Sequence, residues 1–317
     1  MEIVHSLSAL SFDSNSCITV GTYDGIHVAH QEILRQLVAA ARKRSGRSVV
    51  LTFDPYPREV LLKKDEPFEI LTTLSERIEL FKEFGGDIVV VVKFDEEFAV
   101  QSFEEFYKRY IIEGIGVAEV YEGPDHRFGR DREGDIETLK MLALQYHFSV
   151  HLLEPVTVNG LLVGSSRVRK ALHLGEVEAA STLLGRPYAI SGIVVEGDKR
   201  GRTLGYPTAN LQPDSMKKLV PANGIYLTEA VVDSRHFYGL TSIGVRPTFY
   251  ATGKRLIETY ILNFDEDIYG TRMTVRMIRR LRDEMKFYNT GDLVEQMNRD
   301  KKKSQELIKE LETKRHI

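Results

Sequence analysis

The sequence predicts an α/β domain built on a parallel sheet, followed by a small antiparallel β-barrel and a C-terminal helix. In the first half, short Val- and Ile-rich runs alternate with segments of helical spacing. In the second half, alternating or β-branched runs are separated by Gly, Asp and Asn, and a charged tail follows. Because the chain has 317 residues and a domain has roughly 150, we expect two domains.

The composition favours a soluble cytoplasmic protein. Cys17 is the single cysteine, so no intramolecular disulfide can form, and a lone thiol suits a reducing compartment. The N-terminus has no basic leader before an apolar core, and apolar runs such as residues 88–92 are too short to cross a bilayer. The net charge of -3 gives no general attraction to nucleic acid or to anionic lipid, so we expect neither partner.

The strands of the first domain are expected to be parallel, because helical segments connect them. The strand patterns lie at residues 17–20, 48–54, 87–93 and 117–121, and the helical patterns at residues 31–44, 74–84 and 103–112. Ligands of such sheets bind beyond the carboxyl ends of the strands. The turns that begin at Gly21, Phe53 and Gly123 are therefore the expected edge of a binding site.

The second domain is expected to follow a pair of helices. Residues 166–174 and 176–184 have helical spacing, and Gly185 and Pro187 end it, so we expect the boundary after residue 185. The strand patterns beyond it lie at residues 189–195, 224–232, 239–243, 256–264 and 273–278, which is typical of a small barrel. Residues 290–317 have the composition of a terminal helix.

Residues 21–30 are predicted to form a phosphate-binding turn at the start of a helix, and we call them the histidine turn. Gly21 and Gly25 allow the backbone to approach a ligand closely. His27 and His30 are three residues apart, so both imidazoles can face one triphosphate and stabilise charge that develops during phosphoryl transfer. Two alternatives remain open: the histidines pack in the structure, or Asp24 completes a metal site with them.

A second phosphate-type segment lies at residues 197–210. Gly197, Gly201 and Gly205 are interleaved with Lys199, Arg200 and Arg202, which suits a mobile cationic flap over phosphate. Thr208 and Asn210 alternate, so their oxygen-bearing side chains are expected on one side, as Mg²⁺ with nucleotide phosphates requires. The alternative is an ordinary basic hairpin loop. Two unrelated phosphate-type segments indicate two phosphate-transfer reactions.

The histidine turn, Gly-Thr-Tyr-Asp-Gly-Ile-His-Val-Ala-His, resembles the Gly-x-Phe-Asp-Gly-x-His-x-Gly-His signature of the bacterial bifunctional riboflavin kinase/FMN adenylyltransferase family, also called FAD synthetase. Segments 52–59, 123–129 and 165–169 resemble further motifs of that family in the same order. The chain departs from the family pattern in four places: Ala29 replaces glycine, Tyr56 replaces histidine, His126 replaces phenylalanine, and Gly164-Ser165-Ser166 stands where the family has Ser-Ser-Thr.

The second half of the chain resembles the riboflavin kinase part of the same family. The similar segments are residues 205–210, 244–248, 267–270 and 281–287. Their order identifies Glu258 as the counterpart of the catalytic acidic residue, which accepts the proton of the ribityl 5′-hydroxyl. A strand glutamate by itself is usually a solvent-facing residue.

The resemblance implies a set of site residues. The catalytic residues are His27, His30 and Glu258, and the metal ligands are Thr208 and Asn210. The residues implied for ATP and phosphate are Gly21, Tyr23, Asp24, Gly25, Ser165, Ser166, Arg169, Lys199, Gly201 and Thr203. The residues implied for flavin are Asp125, Arg127, Phe128, Arg282, Glu284 and Phe287.

The resemblance also implies the fold and the activity. Residues 1–185 would form a Rossmann-like nucleotidyltransferase domain that makes FAD and pyrophosphate from FMN and ATP. Residues 186–317 would form a riboflavin kinase domain that makes FMN from riboflavin and ATP. Riboflavin, FMN and ATP would be the partners, Mg²⁺ would arrive with ATP, and FMN and FAD would be substrate and product rather than prosthetic groups. The sequence leaves the oligomeric state open.

Two other functions are compatible with the sequence. In the first, the chain is a riboflavin kinase only, and an adenylylation-deficient N-terminal domain serves as a scaffold or flavin-binding module. In the second, both phosphate-type segments are nucleotide-sensing modules without catalytic activity.

Overall fold

The computed structural model describes residues 1–62, 67–124, 134–197, 201, 204–245 and 255–315. The chain divides into two compact units, Met1–Ser165 and Ser166–Ile317. The boundary after Ser165 lies 20 residues before the one expected after residue 185. The difference is the expected helix pair, residues 166–184, which belongs to the second unit. Among the described residues, no helix is long and apolar enough to cross a membrane.

The first unit contains the expected parallel sheet, which confirms the α/β class. Its six strands are β1 (Glu2–Val4), β2 (Ser16–Val20), β3 (Arg47–Asp54), β4 (Ile88–Lys93), β5 (Glu119–Glu122) and β6 (Ser149–Leu152). They lie in the order β1-β4-β3-β2-β5-β6, and every neighbouring pair is parallel. The interior strands β2, β3 and β4 are almost wholly buried, as expected of Val- and Ile-rich strands covered on both faces.

Helices cover both faces of this sheet. They are α1 (Val28–Lys43), α2 (Pro57–Leu61), α3 (Leu74–Glu83), α4 (Glu96–Ala99), α5 (Phe103–Phe106), which continues as a π-helical segment (Tyr107–Ile115), and α6 (Ile136–Tyr146). Leu34 and Leu37 of α1 and Phe81 of α3 belong to the hydrophobic core on one face. Phe103 and Phe106 belong to the core on the other face.

The second unit contains the expected barrel, which is closed and wholly antiparallel. Its strands are β9 (Tyr188–Val195), β10 (Ala209–Pro213), β11 (Gly224–Val232), β12 (Arg235–Val245), β13 (Arg255–Ile261) and β14 (Arg272–Arg282), in the order β10-β13-β12-β11-β14-β9. Buried threonine hydroxyls link three neighbouring strands: Thr241 Oγ1 lies 2.8 Å from that of Thr228 and 2.9 Å from that of Thr259.

The remaining elements flank the barrel or precede it. A short hairpin, β7 (Thr157–Val158) and β8 (Leu161–Leu162), leads into α7 (Ser165–His173) and α8 (Val177–Leu184). The terminal helix α9 (Thr290–Arg315) agrees with the sequence expectation. Leu307, Ile308 and Leu311 of α9 pack against a buried barrel cluster that includes Leu227 and Leu240, so α9 covers part of the outer barrel surface.

Candidate active sites

The histidine turn lies beyond the carboxyl end of β2, where an α/β sheet places its ligand site. Three of its residues have positive φ: Tyr23 (52°), Gly25 (85°) and Ile26 (40°). A β-branched residue such as Ile26 rarely adopts this conformation, and such strained backbone is concentrated at functional sites. The turn therefore has a backbone that the surrounding structure must hold in place.

His27 caps the N-terminus of α1. Its Nδ1 accepts a hydrogen bond from the backbone N–H of His30 at 3.4 Å. An imidazole that accepts through Nδ1 carries its proton on Nε2 when neutral, so His27 presents Nε2–H as a donor. The rings of His27 and His30 are stacked, with 3.7 Å between their centroids. The structure thus brings the two predicted catalytic histidines together at a helix N-terminus.

Tyr23, which was predicted to bind phosphate, has its side chain in the core. Its hydroxyl forms a short hydrogen bond with the hydroxyl of Thr19, and its ring meets Phe81 edge to face. Burial is the main reason that its pKa is raised well above the usual value for tyrosine. Gly21 lies directly beside this ring, since a Cβ there would be 3.1 Å from Cε2 of Tyr23. The side chain of Tyr23 therefore packs in the core against the turn, and only the backbone of Tyr23 remains available to a phosphate.

Asp24 uses its carboxylate to hold the turn. Oδ1 accepts hydrogen bonds from the backbone N–H groups of Leu71 (2.9 Å) and Thr72 (3.0 Å) and from the hydroxyl of Tyr56 (2.9 Å). Gly25 N–H donates to Thr72 Oγ1 at 2.9 Å. Among the residues that the structure describes, no three His, Cys, Asp or Glu side chains gather as metal ligands, so the metal alternative for Asp24, His27 and His30 gains no support.

Ser165, at the start of α7, also contacts the histidine turn. Its hydroxyl donates to the backbone carbonyl of Asp24 at 2.8 Å. A serine hydroxyl has one proton, so Ser165 cannot donate to a phosphate while it holds this bond. Ser166 is exposed and Arg169 is half-buried on the same helix. Ser165 is thus placed to position the turn.

Departures from the family pattern also lie among the described residues at this turn. Ala29 is half-buried in the first turn of α1. Tyr56 is buried beneath the histidine turn and bonded to Asp24. Gly164 has open space where a Cβ would lie, so its backbone would accept a serine. Five predicted site residues lie outside the described residues: Asp125, Arg127, Phe128, Lys199 and Thr203. His126 lies outside them as well.

In the barrel, Asn210 and Glu258 are direct neighbours. Asn210 of β10 pairs with Glu258 of β13, and Glu258 pairs on its other side with Ser242 of β12. All three side chains are half-buried and alternate with fully buried residues, so they form a polar row on one face of the sheet. This arrangement brings a predicted metal ligand beside the predicted catalytic carboxylate.

Two glycines of the predicted flap lie against the two predicted metal ligands. A Cβ at Gly197 would collide with the side-chain amide of Asn210, and a Cβ at Gly201 would collide with the backbone carbonyl of Tyr206 and lie 3.4 Å from Thr208 Oγ1. Tyr206 is fixed in turn, because its hydroxyl donates to Asn298 Oδ1 on α9 at 2.6 Å. The loop before β10 therefore depends on glycine for its close approach to these side chains.

A cavity of about 350 Å³ opens beside Thr208 and Asn210. Its other lining residues come from β9 and the residue Gly197 after it, from the start of β10 and the residue Pro207 before it, from β13, and from the turn after β13: Val194, Gly197, Pro207, Ala209, Thr259, Ile261, Phe264, Asp265, Glu266, Asp267, Ile268 and Tyr269. Glu258 is not part of this lining. The lining combines oxygen-bearing side chains at Thr208 and Asn210 with apolar and aromatic side chains, and it also includes the acidic residues Asp265, Glu266 and Asp267. The first two groups suit a nucleotide whose phosphates reach Thr208 and Asn210.

Of the predicted flavin residues in the barrel unit, Arg282 has a structural partner. Its guanidinium donates to both carboxylate oxygens of Asp300 on α9, at 3.0 Å from Nε to Oδ2 and 3.1 Å from Nε to Oδ1. The side chains are only 18% and 8% exposed. Glu284 is exposed and lies over Gly244, while Phe287 is half-buried. Arg282 therefore ties the end of β14 to the terminal helix.

Sequence reasoning missed Arg77, which the structure places beneath the histidine turn. Arg77 is 0% exposed and donates to Thr22 O and Thr52 Oγ1, both at 2.8 Å, and to Phe53 O at 3.1 Å. In the sequence, Arg77 is one of several charged residues in a helical segment. Its acceptors come together only in the folded sheet, so no pattern in the sequence indicates them. Thr72 was missed for the same reason.

Comparisons with known proteins cover nearly all of the chain. A family model described as FAD synthetase matches residues 10–167, and one described as riboflavin kinase matches residues 184–308. The bifunctional riboflavin kinase/FMN adenylyltransferase of Buchnera aphidicola subsp. Schizaphis graminum is 35% identical over 94% of this chain and 95% of its own length. The proteins of the same name from Bacillus subtilis and Escherichia coli K12 are 34% and 33% identical, over 92% and 96% of this chain and the same shares of their own lengths.

A solved structure from Streptococcus pneumoniae, described as a macrolide-efflux protein, is similar over 96% of this chain and 98% of its own length. The TM-score is 0.86 and the sequence identity is 31%. The two proteins share a fold, and macrolide export is not carried over to this chain, whose curated relatives are named for flavin chemistry. The chain belongs to the bifunctional riboflavin kinase/FMN adenylyltransferase family.

Proposed function

We propose that the chain makes FAD from riboflavin in two ATP-dependent steps, in the cytoplasm. Riboflavin and ATP give FMN and ADP in the barrel unit, and FMN and a second ATP give FAD and pyrophosphate in the α/β unit. The observation that supports this most directly is that each unit carries its own phosphate-type site, and each matches a separate family model. The kinase-only alternative is not favoured, because the adenylyltransferase model matches residues 10–167.

In the adenylylation step, an oxygen of the FMN phosphate attacks the α-phosphorus of ATP. The bond from that phosphorus to the oxygen bridging to the β-phosphorus breaks, and pyrophosphate leaves with the electron pair. A phosphate monoester has a second pKa of ~6, so FMN arrives as a nucleophile without a general base. The histidine turn contributes Nε2–H of His27 and the N-terminal amides of α1, which stabilise charge on the phosphate oxygens.

In the kinase step, the ribityl 5′-hydroxyl attacks the γ-phosphorus of ATP and ADP leaves. Glu258 accepts the hydroxyl proton. Asn210 lines the cavity and pairs with Glu258, which does not line it. This supports a division in which ATP occupies the cavity and the flavin approaches from the side of Glu258. Exposed Met285 and Tyr288, with half-buried Phe287, offer apolar surface to the flavin ring on the segment after β14.

Magnesium is part of the proposal through ATP. Thr208 and Asn210 present oxygen atoms to one cavity, and Mg²⁺ prefers a few protein oxygens together with phosphates and water. When bound, the ion neutralises charge on the phosphates. The protein's own contribution is to orient the phosphates toward Glu258 and to keep the flap glycines close to them.

The test is a time course with purified, flavin-free protein, riboflavin, ATP and Mg²⁺, in which riboflavin, FMN and FAD are separated by chromatography. We expect FMN to rise first and then to give way to FAD. FMN that accumulates without FAD would refute adenylylation and leave a kinase. Absence of both products would favour the nucleotide-sensing alternative.

A further inference from the structure

Tyr56 joins three segments beneath the histidine turn. It lies just before α2 and is 5% exposed. Its hydroxyl oxygen is 2.9 Å from Asp24 Oδ1 and 2.8 Å from the carbonyl oxygen of Thr72. A phenol has one proton to donate, and the carboxylate is the stronger acceptor of the two. Tyr56 thus connects the 52–59 turn with the histidine turn and with the loop before α3.

The ring of Tyr56 is held by Arg77. The guanidinium carbon of Arg77 lies 4.3 Å from the ring centroid, and its N–H groups donate to Thr22 O, Thr52 Oγ1 and Phe53 O. These acceptors follow or end strands β2 and β3. The fully buried arginine therefore fixes both the ends of two strands and the ring that reaches Asp24.

The charged groups that face the Tyr56 hydroxyl and ring are Asp24 and Arg77. Burial, the largest effect, and the charge of Asp24 raise the pKa of Tyr56 well above its usual value. The phenol therefore remains a protonated donor across the physiological range. An imidazole, which the family pattern has at this position, has a pKa of ~6.5 in water.

We propose that Tyr56 is a positioning residue for adenylyl transfer: its hydroxyl holds Asp24, and through Asp24 the turn that carries His27 and His30. This assignment rests on the proposed FMN adenylylation. Tyr56 is too deeply buried to touch the reacting phosphates, and its hydroxyl is directed toward the turn. The replacement of histidine by tyrosine therefore keeps a hydrogen-bond donor at this point and removes a titrating group from beneath the site.

The test compares Tyr56→Phe, which removes the donor, with Tyr56→His, which restores the family residue. We expect Tyr56→Phe to lower kcat for FAD formation from FMN and ATP by about 10- to 100-fold with little change in either KM, because misplacement of catalytic groups acts mainly on the chemical step. Tyr56→His should recover most of kcat at pH 8. Its pH profile should gain a titration that the wild type lacks, because an imidazole has a pKa of ~6.5 in water, which Asp24 and Arg77 would shift.

Tyr121→Phe is the matched control. The hydroxyl of Tyr121 donates to a carboxylate in the same unit, Glu119 on the same strand β5, at 2.7 Å. It should leave FAD formation near the wild-type rate. FMN formation from riboflavin serves as an internal control and should be unchanged in all three variants.

Three results would overturn the assignment of Tyr56: wild-type kcat in Tyr56→Phe, an equal loss in Tyr121→Phe, or a loss that Tyr56→His fails to recover at any pH. A wild-type chain that makes no FAD at all would instead overturn the proposed adenylylation, and the assignment with it. The two failures are therefore distinguishable.

Discussion

Asn210 and Glu258 occupy paired positions in the ladder between β10 and β13, so a residue that lines the nucleotide-sized cavity lies beside the one strand carboxylate in this row. Directly paired residues in an antiparallel sheet have their Cβ atoms about 4.5–5.5 Å apart. A γ-phosphate held at Asn210 would therefore lie within reach of a hydroxyl that donates to Glu258. The register of two strands sets the spacing of the proposed kinase site.

Glu258→Gln should lower the rate of FMN formation by about 10²- to 10⁴-fold, because glutamine keeps the shape of the side chain and cannot accept the proton. FAD formation from supplied FMN should be unaffected. Chromatographic assays of both reactions check this. Glu229→Gln is the control, since Glu229 is another strand glutamate of the barrel, paired with Arg276 at 2.9 Å. FMN formation near the wild-type rate in Glu258→Gln would remove Glu258 from the proposed role.

Gly197→Ala should impair the kinase step through Asn210. The added methyl group would collide with the side-chain amide of Asn210, so either the flap or the amide must move. We expect the KM for ATP to rise by about 10-fold, as for the loss of one good contact of ~1.4 kcal/mol. Kinase assays over a range of ATP concentrations measure it.

Gly86→Ala is the matched control, since the space around a Cβ at Gly86 is open. Both glycines have φ outside the left-handed region, so backbone strain does not distinguish them. An unchanged KM for ATP in Gly197→Ala would show that the amide of Asn210 takes no part in holding the nucleotide.

The sequence predicted the fold class of both units because that class depends on local patterns. The buried strands β3 and β4 are continuous Val- and Ile-rich runs, and the glycines of the histidine turn mark a break between strand and helix. The edge strands β1 and β6 escaped prediction, since β1 has three residues and β6 is mostly exposed, so neither has a distinct hydrophobic pattern.

The supporting residues of the sites could not be predicted, because their partners are distant in the sequence. Arg77 finds its acceptors 24 to 55 residues away, and Asp24 receives N–H groups from residues 47 and 48 positions later. Arg282 was expected to contact flavin, and its partner Asp300 lies 18 residues further on in α9. Such pairs arise from the fold, and no periodicity in one segment reveals them.

His27→Asn and His27→Ala should separate the two roles of His27. Asparagine keeps a side-chain acceptor for the N-terminus of α1, and alanine removes it, so only His27→Ala should lose about 1 kcal/mol of stability. Both variants lack the Nε2–H donor, and both should lower FAD formation by about 10²-fold or more. Thermal unfolding measures the loss of stability, and assays of FAD formation measure the loss of rate. Wild-type FAD formation in His27→Asn would show that the cap is the whole role of His27.

Arg282→Ala and Asp300→Ala should destabilise the barrel unit alike, by about 3 kcal/mol, because each leaves a largely buried charge without its partner. Denaturant unfolding measures this. The affinity of the two variants for riboflavin then shows whether Arg282 only pairs with Asp300 or also contacts flavin. If Arg282 also binds flavin, as the family resemblance implies, Arg282→Ala should weaken riboflavin binding more than Asp300→Ala does. Equal affinities in the two variants would assign Arg282 to the ion pair alone.

Glu119 is expected to make the stability of the parallel sheet depend on pH, and the labelling rate of a nearby thiol, Cys17, can measure this. Burial disfavours its charge, but the hydrogen bond from Tyr121 and the charges of His151 and Arg44 outweigh this and hold its pKa below the usual value. A carboxylate whose folded pKa lies below its unfolded pKa stabilises the fold above the unfolded pKa, and the contribution is lost as pH falls through the folded pKa. Glu119→Gln should therefore cost about 2 kcal/mol at pH 7 and progressively less below about pH 4.5.

Cys17 reports on this effect, since it is the single cysteine of the chain and pairs with Glu119 between β2 and β5. Burial, the main cause, and the charge of Glu119 raise the pKa of its thiol to about 11, so the folded thiol is protonated. The side chain is also fully buried, so the folded thiol is inaccessible to a reagent. A pyridyl disulfide reagent, which reacts with thiols at acid pH, should label Cys17 only when the sheet opens. Labelling in Glu119→Gln should be faster than in the wild type at pH 7, and the two rates should converge toward pH 3. A ratio of rates that stays constant across this range would show that the ionisation of Glu119 contributes nothing to the stability of the sheet.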